Sequence, residues 1–206
     1  MQGDQADRSI GAPPSRAGRT VSRPADAPEV TLVRQAALGD TRAFETLYRI
    51  YHPRLSRFIG LMSPRRPVVE EALNDTMMVV WRRADTFNGQ CKVSTWIFAI
   101  AYRTALKALR HHEAPADDTV GDEPASADAG PEQYHSDGET REALVGALGR
   151  LSAEQRSVLV LAFFHDLPYA EIARIVDCPV DTVKTRALHG RRRLRALLSG
   201  ALGDWL

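Results

Sequence analysis

The chain has 206 residues, a hydrophobic fraction of 44% and a formal net charge of +1. This length allows one domain or two small ones, and the apolar content is sufficient for a core. No run of about 18 apolar residues occurs, and the N-terminus lacks an apolar signal core, so we expect neither stable membrane insertion nor secretion. Cys91 and Cys178 have no CxxC spacing. This argues against a disulfide framework or a metal site, and favours a cytoplasmic protein.

Residues 1–28 are rich in Gly, Ala, Pro, Ser and charged residues, and we predict a disordered N-terminal extension. From residue 29 the pattern becomes helical. A first short helix is predicted to end at Gly39, and Asp40 or Thr41 can cap the second. In that second helix Pro53 predicts a kink. The apolar period falls at Phe44, Leu47, Tyr48, Tyr51, Leu55, Phe58, Ile59 and Met62.

Two further helices complete the first predicted domain, which spans residues 29–111. The third, residues 68–84, is predicted to bury Val69, Leu73, Met77, Val80 and Trp81. A loop follows, and Ser94 or Thr95 can cap a fourth helix that ends near His111. Its predicted inward positions are Ile97, Ile100, Ala101, Ala105 and Leu109, and its predicted outward positions are Tyr102, Arg103, Lys107 and Arg110. We interpret Trp81 and Trp96 as core residues.

Residues 112–138 are predicted to form a flexible linker. From Glu113 to Glu139 the sequence has nine acidic residues and no Lys or Arg. Such a segment could occupy a basic channel as a nucleic-acid mimic, but a solvated tether is the favoured interpretation.

A second domain is predicted for residues 139–200. Ser152 to Gln155 matches a capping box, which tips the interpretation of the apolar run 158–164 from a strand to a buried helix. The fold class is therefore all-α: two small helical domains, of four helices each, joined by a flexible acidic linker. The second domain contains a helix-turn-helix.

The helix-turn-helix lies between Pro168 and Leu198. Tyr169, Ile172, Ala173 and Val176 form one helical face, Asp177 and Cys178 break the helix, and Pro179 suits the first turn of the next. The second helix has an apolar seam at Val180, Val183, Ala187, Gly190, Leu194 and Leu197. Its other face is basic, and a basic helix in this position can enter a major groove. Gly190 in the seam either marks a close approach or has no structural role.

Two separated segments resemble the extracytoplasmic-function group of bacterial sigma factors. The first is VEEALNDTMMVVW at residues 69–81, followed by STWIFAIAYRTALKALR at 94–110. The second comprises LSAEQRSVLVLAFF at 151–164 and LPYAEIARIVDCPVDTVKTRALHGRRRL at 167–194. The resemblance covers about residues 31–111 and 139–198, and it identifies the two predicted domains as sigma region 2 (29–111) and sigma region 4 (139–200). Departures from the family pattern are Asn74-Asp75 for Gln-Glu, Tyr102-Arg103 for Arg-Asn, and Pro168 for a capping Ser.

The resemblance implies a protein without catalytic residues or cofactors, which binds core RNA polymerase and directs promoter recognition and strand opening. The second domain would bind the minus-thirty-five element in the major groove through Thr182, Lys184, Thr185, Arg186, His189 and Arg192. The first would bind the minus-ten element as a single strand through Asn88, Gln90, Lys92, Thr95, Arg103, Lys107 and Arg110.

The resemblance also implies protein partners. The third helix would dock on the clamp helices of the largest polymerase subunit through Asn74, Asp75, Met78 and Arg82, and the second domain on the flap of the second subunit. An anti-sigma factor that covers both domains is a further expected partner.

Two other functions remain open from the residues alone. A helix-turn-helix regulator that binds duplex DNA without polymerase explains the second half equally well, but leaves the acidic helix and the Thr-Trp helix without a role. A small helical nuclease or hydrolase would require a convergent catalytic set, and we find no nucleophile with a base at fixed spacing and no Gly-rich phosphate loop.

Overall fold

The computed structural model describes residues 28–113 and 138–202, and these two ranges contain eight α-helices and no β-strand. The first range holds α1 (Pro28–Ala37), α2 (Thr41–Met62), α3 (Arg66–Arg82) and α4 (Val93–Glu113). A single 3-10 turn, Ala84–Thr86, lies between α3 and α4. The second range holds α5 (Gly138–Gly149), α6 (Ala153–Phe163), α7 (Tyr169–Val176) and α8 (Val180–Leu202). The all-α prediction is confirmed.

The junction of α1 and α2 follows the predicted chemistry. Gly39 has a φ of +88°, a left-handed conformation that suits glycine and ends α1. Asp40 then caps α2, because its Oδ1 accepts hydrogen bonds from the backbone N–H groups of Arg42 (2.9 Å) and Ala43 (3.2 Å). These bonds satisfy two of the donors that a helix start leaves unpaired.

The core of the first four helices is built from the apolar faces of α2, α3 and α4. Phe58 of α2 and Phe98 of α4 are fully buried, with ring centroids 5.5 Å apart in an edge-to-face arrangement. Thr76 of α3 is also buried, and its hydroxyl donates to the carbonyl of Ala72 at 2.6 Å. It lies 2.6 Å from the hydroxyl of Thr104, which links α3 to α4 inside the core.

The second four helices pack around α6, whose start and buried face were both predicted. Ser152 Oγ accepts a hydrogen bond from the backbone N–H of Gln155 at 3.2 Å, so the predicted cap is present. The run from Val158 to Leu161 is fully buried as a helix. At Gly190 of α8 a Cβ would lie 3.0 Å from Cδ1 of Leu159, so this glycine marks a close approach of α8 to α6.

The first four helices (α1–α4) and the second four (α5–α8) form two helix groups. These groups are in contact, which the sequence did not predict. Helix α4 packs against α7, and α2 packs against α5 and α6. Arg156 of α6 is buried, and its guanidinium donates to the carbonyl of Met62 at the end of α2. The same group donates to the carbonyls of Gly149 (2.7 Å) and Leu151 (3.1 Å), so it ties the α5–α6 turn to α2.

Some sequence expectations were wrong in detail. Tyr102 was expected on the outer face of α4, but only 7% of it is exposed. Val180 was expected in the apolar seam of α8, yet it is exposed, while Val183 and Ala187 are buried as predicted. Helix α3 begins two residues earlier than predicted. The proposed disordered extension up to residue 27 and residues 114–137 of the proposed linker lie outside the described residues.

Candidate nucleic-acid interface

The helix-turn-helix geometry comes from the turn between α7 and α8. Asp177 adopts a left-handed conformation with a φ of 52°, and the N–H of Cys178 bonds the carbonyl of Ala173 at 3.1 Å. This ends α7 and allows Pro179 to stand immediately before α8. Ile172, Ile175 and Val176 of α7 are buried. They form the core of this segment with Val183 and Ala187 of α8, so the opposite face of α8 points outward.

The outward face of α8 carries most of the residues predicted to contact duplex DNA. Lys184, Thr185, His189 and Arg192 are exposed, whereas Thr182 and Arg186 are half-buried. Lys184 Nζ lies 2.9 Å from Asp181 Oδ1, an exposed pair that a phosphate can replace at small cost. Arg193, which the sequence also places on the basic face, is exposed, and so are Arg191 and Arg195, which sequence reasoning left out; all three extend the positive charge of α8.

Arg186 differs from the other candidates because it faces back toward the body of the protein. Its Nη1 lies 3.6 Å from Cys178 Sγ. Burial raises the pKa of the Tyr102 hydroxyl in α4, and the positive charge of Arg186 partly offsets this rise. In the described arrangement Arg186 therefore lies between the turn and α4.

The residues predicted for the minus-ten strand fall into two places. Asn88, Gln90 and Lys92 are exposed on the loop before α4, and Asn88 Oδ1 accepts a hydrogen bond from the N–H of Gln90 at 3.1 Å. Arg103, Lys107 and Arg110 are exposed on one face of α4, where spacings of four and three residues align them. Together they form a positive stripe along the helix.

Thr95 does not belong to an open surface in this structure. Only 3% of it is exposed, and its hydroxyl donates to Oε2 of Glu171 in α7 at 3.3 Å. The other carboxylate oxygen of Glu171 pairs with Lys92 Nζ. Two of the predicted strand contacts are thus occupied by one carboxylate of the helix-turn-helix, a contact with no signal in the sequence.

The residues predicted to bind polymerase lie on the exposed face of α3. Asn74, Asp75, Met78 and Arg82 are all exposed, and Met78 is 49% exposed although it is apolar. Asp75 also lines a groove between α3 and α4 together with Arg83, Arg103 and Lys107. The structure therefore brings a predicted polymerase contact next to two predicted strand contacts, and adds Arg83, which sequence reasoning missed.

The two tryptophans beside these surfaces are half-buried. The ring of Trp81 lies 5.0 Å from that of Phe44, and the ring of Trp96 lies 5.4 Å from that of Phe87. Both pack against the core. Each ring therefore has an aromatic neighbour within its own helix group.

Across residues 28–113 and 138–202, no three His, Cys, Asp or Glu side chains come together as an ion site would require. No helix in the same two ranges combines the length and apolar character needed to cross a membrane.

Comparison with known families gives two matches in the order of the two helix groups. Residues 47–114 match the family described as Sigma-70 region 2, and residues 141–194 match Sigma-70, region 4. The first match runs from α2 to the end of α4. The second runs from within α5, through α6 and α7, to Leu194 of α8.

Individual proteins give the same result. The chain is 33% identical over 166 residues to the ECF RNA polymerase sigma factor SigM of Mycobacterium tuberculosis, covering 78% of this chain and 79% of that one. It is 30% identical over 161 residues to the ECF RNA polymerase sigma factor RpoE of Cereibacter sphaeroides, covering 78% and 88%. The fold is similar to that of CnrH in complex with the cytosolic domain of CnrY, with a TM-score of 0.64, 22% identity, and coverage of 84% and 97%.

Proposed function

The chain belongs to the extracytoplasmic-function RNA polymerase sigma factors, and on this premise we propose which surface performs each step of promoter recognition. A sigma factor binds core RNA polymerase and directs it to promoters. In this proposal, residues 139–200 bind the minus-thirty-five element. Residues 29–111 bind the minus-ten element and also dock on the polymerase.

The minus-thirty-five assignment is supported by the outward face of α8. Lys184, His189 and Arg192 project from one side of a helix whose other side is buried. Guanidinium and ammonium groups can donate to guanine acceptors and phosphates, and each good base contact contributes about 1–3 kcal/mol of discrimination. Thr182, Thr185 and Arg186 complete the proposed set.

The minus-ten assignment is supported by the loop before α4 and by the positive stripe of α4. The amides of Asn88 and Gln90 can read the edge of an unstacked base, because they offer both donors and acceptors. Arg103, Lys107 and Arg110 give a track for the phosphates of the opened strand. Lys92 and Thr95 would contact the strand between these two parts.

Polymerase docking is assigned to the exposed face of α3. Met78 is the observation that carries this assignment, since an apolar side chain that is half exposed among polar neighbours is typical of an interface centre. Asn74, Asp75 and Arg82 would supply the surrounding polar contacts to the clamp helices of the largest subunit. The α5–α8 group would contact the flap of the second subunit.

An anti-sigma factor is the third proposed partner. CnrH, which shares this fold, is described in complex with the cytosolic domain of CnrY. We expect such a partner to cover surfaces of both helix groups. The chain itself would supply binding energy rather than chemistry, and it would act in the cytoplasm, where polymerase and chromosome meet.

Reconstituted transcription tests this proposal. Purified chain is added to core RNA polymerase on a library of genomic fragments, and the RNA 5′ ends are mapped, with core alone as the control. We expect new start sites that share two upstream elements, near minus ten and minus thirty-five. If the chain adds no promoter-specific start, the proposal is wrong. Tight binding of the chain alone to the same duplex fragments, measured by gel shift without core, would favour the regulator hypothesis.

A further inference from the structure

Glu171 is the residue through which the helix-turn-helix reaches the proposed minus-ten surface. Its side chain is only 16% exposed, whereas that of Lys92 is 62% exposed. One oxygen pairs with Lys92 Nζ, and the other accepts a hydrogen bond from the Thr95 hydroxyl at 3.3 Å. A carboxylate held by an ammonium and a hydroxyl has the same donors around it that a backbone phosphate would take.

Further groups of α7 and α8 lie close to α4 and to the loop that precedes it. Burial raises the pKa of the Cys91 thiol, while Arg174 of α7 lowers it in part and Glu171 raises it further. On the other side, Arg186 of α8 is close enough to Tyr102 of α4 to act on its hydroxyl. Lys92 and Thr95 of the proposed minus-ten set, and Arg186 of the proposed minus-thirty-five set, therefore all contact other parts of the chain.

Contacts that do not involve the proposed DNA-binding residues also hold the two helix groups together, in what we call the closed arrangement. Arg156 of α6 donates to the carbonyl of Met62 in α2. His165 packs between Phe58 of α2 and Phe98 of α4, and the guanidinium of Arg57 lies 5.4 Å from the Phe164 ring centre. The closed arrangement thus has apolar, cation–π and hydrogen-bond contacts in addition to the ion pair.

We propose that the free chain is autoinhibited by this closed arrangement, with the Glu171 carboxylate standing at Lys92 and Thr95 where a strand phosphate binds. Minus-ten strand binding and the α4–α7 contact are then mutually exclusive. The inference rests on the proposed assignment of Lys92 and Thr95 to the minus-ten strand. Polymerase binding would favour the open state, because the two elements require the two helix groups at separate places on the promoter.

The size of the effect follows from population arithmetic. The apparent affinity for a strand equals the intrinsic affinity multiplied by the fraction of open chain. The ion pair is partly solvated, so its loss should shift the population without abolishing the other contacts. We therefore expect the substitution E171Q to tighten strand binding by about 3–10-fold.

The test measures binding of a fluorescein-labelled 12-nucleotide oligo-dT to the full-length chain by fluorescence anisotropy, without polymerase. The variants are wild type, E171Q, K92Q and the double variant E171Q/K92Q. E45Q is the matched control, because Glu45 forms an exposed i, i+4 pair with Arg49 on α2 and its loss changes net charge equally. Hydrogen exchange of residues 93–97 and 169–172 reports opening, and exchange of residues 183–190 reports whether α8 stays folded.

Tighter binding by E171Q, with faster exchange in residues 93–97 and unchanged exchange in 183–190, supports the proposal. Binding by E45Q should stay within about 2-fold of wild type. Because K92Q removes both the ion pair and the proposed phosphate contact, E171Q/K92Q should bind more weakly than E171Q, and equal binding by these two variants would overturn the proposal. Equal affinity of wild type and E171Q would overturn autoinhibition, and so would an equal gain in E45Q, which would show a general charge effect.

The same variants separate this inference from the proposed function. With core polymerase present, E171Q should initiate at the same promoters as wild type, because the polymerase already holds the chain open. If wild type directs initiation but E171Q gains no strand affinity, only the autoinhibition is wrong. If E171Q gains affinity but neither chain directs initiation, the sigma assignment of the surfaces is wrong.

Discussion

The imidazole of His165 lies 4.8 Å from the ring of Phe98, with an angle of 62° between the two planes. This contact joins the loop before α7 to α4, and Phe58 of α2 lies on another side of the same imidazole. His165 Nε2 is buried and has no hydrogen-bond partner within the part of the chain that the structure describes. A histidine in these surroundings is held neutral, which makes the contact between the two helix groups dependent on pH.

The first prediction concerns this pH dependence. Burial, together with the nearby positive charges of Arg54 and Arg57, lowers the pKa of His165 from 6.5 to about 4, and Asp166 partly opposes this shift. The unfolded chain binds a proton more readily than the folded chain, so the free energy of unfolding falls as the pH drops from about 6.5 to about 4. The loss should be about 1–3 kcal/mol after solvent screening.

Denaturant unfolding at several pH values checks this prediction. In H165F the aromatic contacts are kept and the titrating group is removed, so its stability should fall less between pH 7 and pH 4.5 than that of wild type. His111 is exposed, and H111Q is the matched control. If H165F and wild type lose stability in parallel, His165 does not carry the effect.

The second prediction concerns Gly190. A Cβ there would lie 3.0 Å from Leu159 Cδ1 and 3.3 Å from its Cγ, and Leu159 is buried. We expect G190V to lower the free energy of unfolding by about 1–3 kcal/mol through overpacking. G60A in α2 is the control, because a Cβ at Gly60 meets nothing within 4 Å. It should instead add about 0.5–1 kcal/mol from helix propensity, and thermal unfolding of both variants measures the difference.

The third prediction concerns recognition of the minus-thirty-five element. R186A should weaken use of that element by about 5–150-fold, equivalent to about 1–3 kcal/mol for one good base contact. Affinity for core polymerase should not change. The measurement compares holoenzyme binding to a mapped promoter with and without its upstream element. R34A removes an exposed arginine from α1 and serves as the charge control. Equal loss of core binding and element use would contradict the groove assignment.

The fourth prediction concerns polymerase docking by α3. D75R places a positive charge in the groove that already contains Arg83, Arg103 and Lys107. Because like charges meet there and the carboxylate is lost, we expect at least about 10-fold weaker binding to core polymerase. Titration of labelled core with each variant measures this affinity, with E45R on α2 as the control for a charge reversal. Unchanged affinity in D75R would rule out this docking surface.

The helices and their local chemistry were predictable because they depend on neighbours in the sequence. The Asp40 and Ser152 caps, the turn at Asp177 to Pro179 and the buried helix after Ser152 all follow from residue type and spacing. Periodicity also found the seam residues Val183 and Ala187. Periodicity wrongly placed Tyr102 on the outer face of α4. A single helical period identifies one buried face, whereas α4 is covered on a second face by the α5–α8 group.

The sequence by itself determined the all-α class, the order of the helices and the basic face of α8, since hydrogen bonding and side-chain spacing within a helix are local. Only the tertiary structure decided that Glu171 meets Lys92 and Thr95, residues 79 and 76 positions away. Pairing over such separations depends on how two helix groups pack, and no local pattern of residues encodes it.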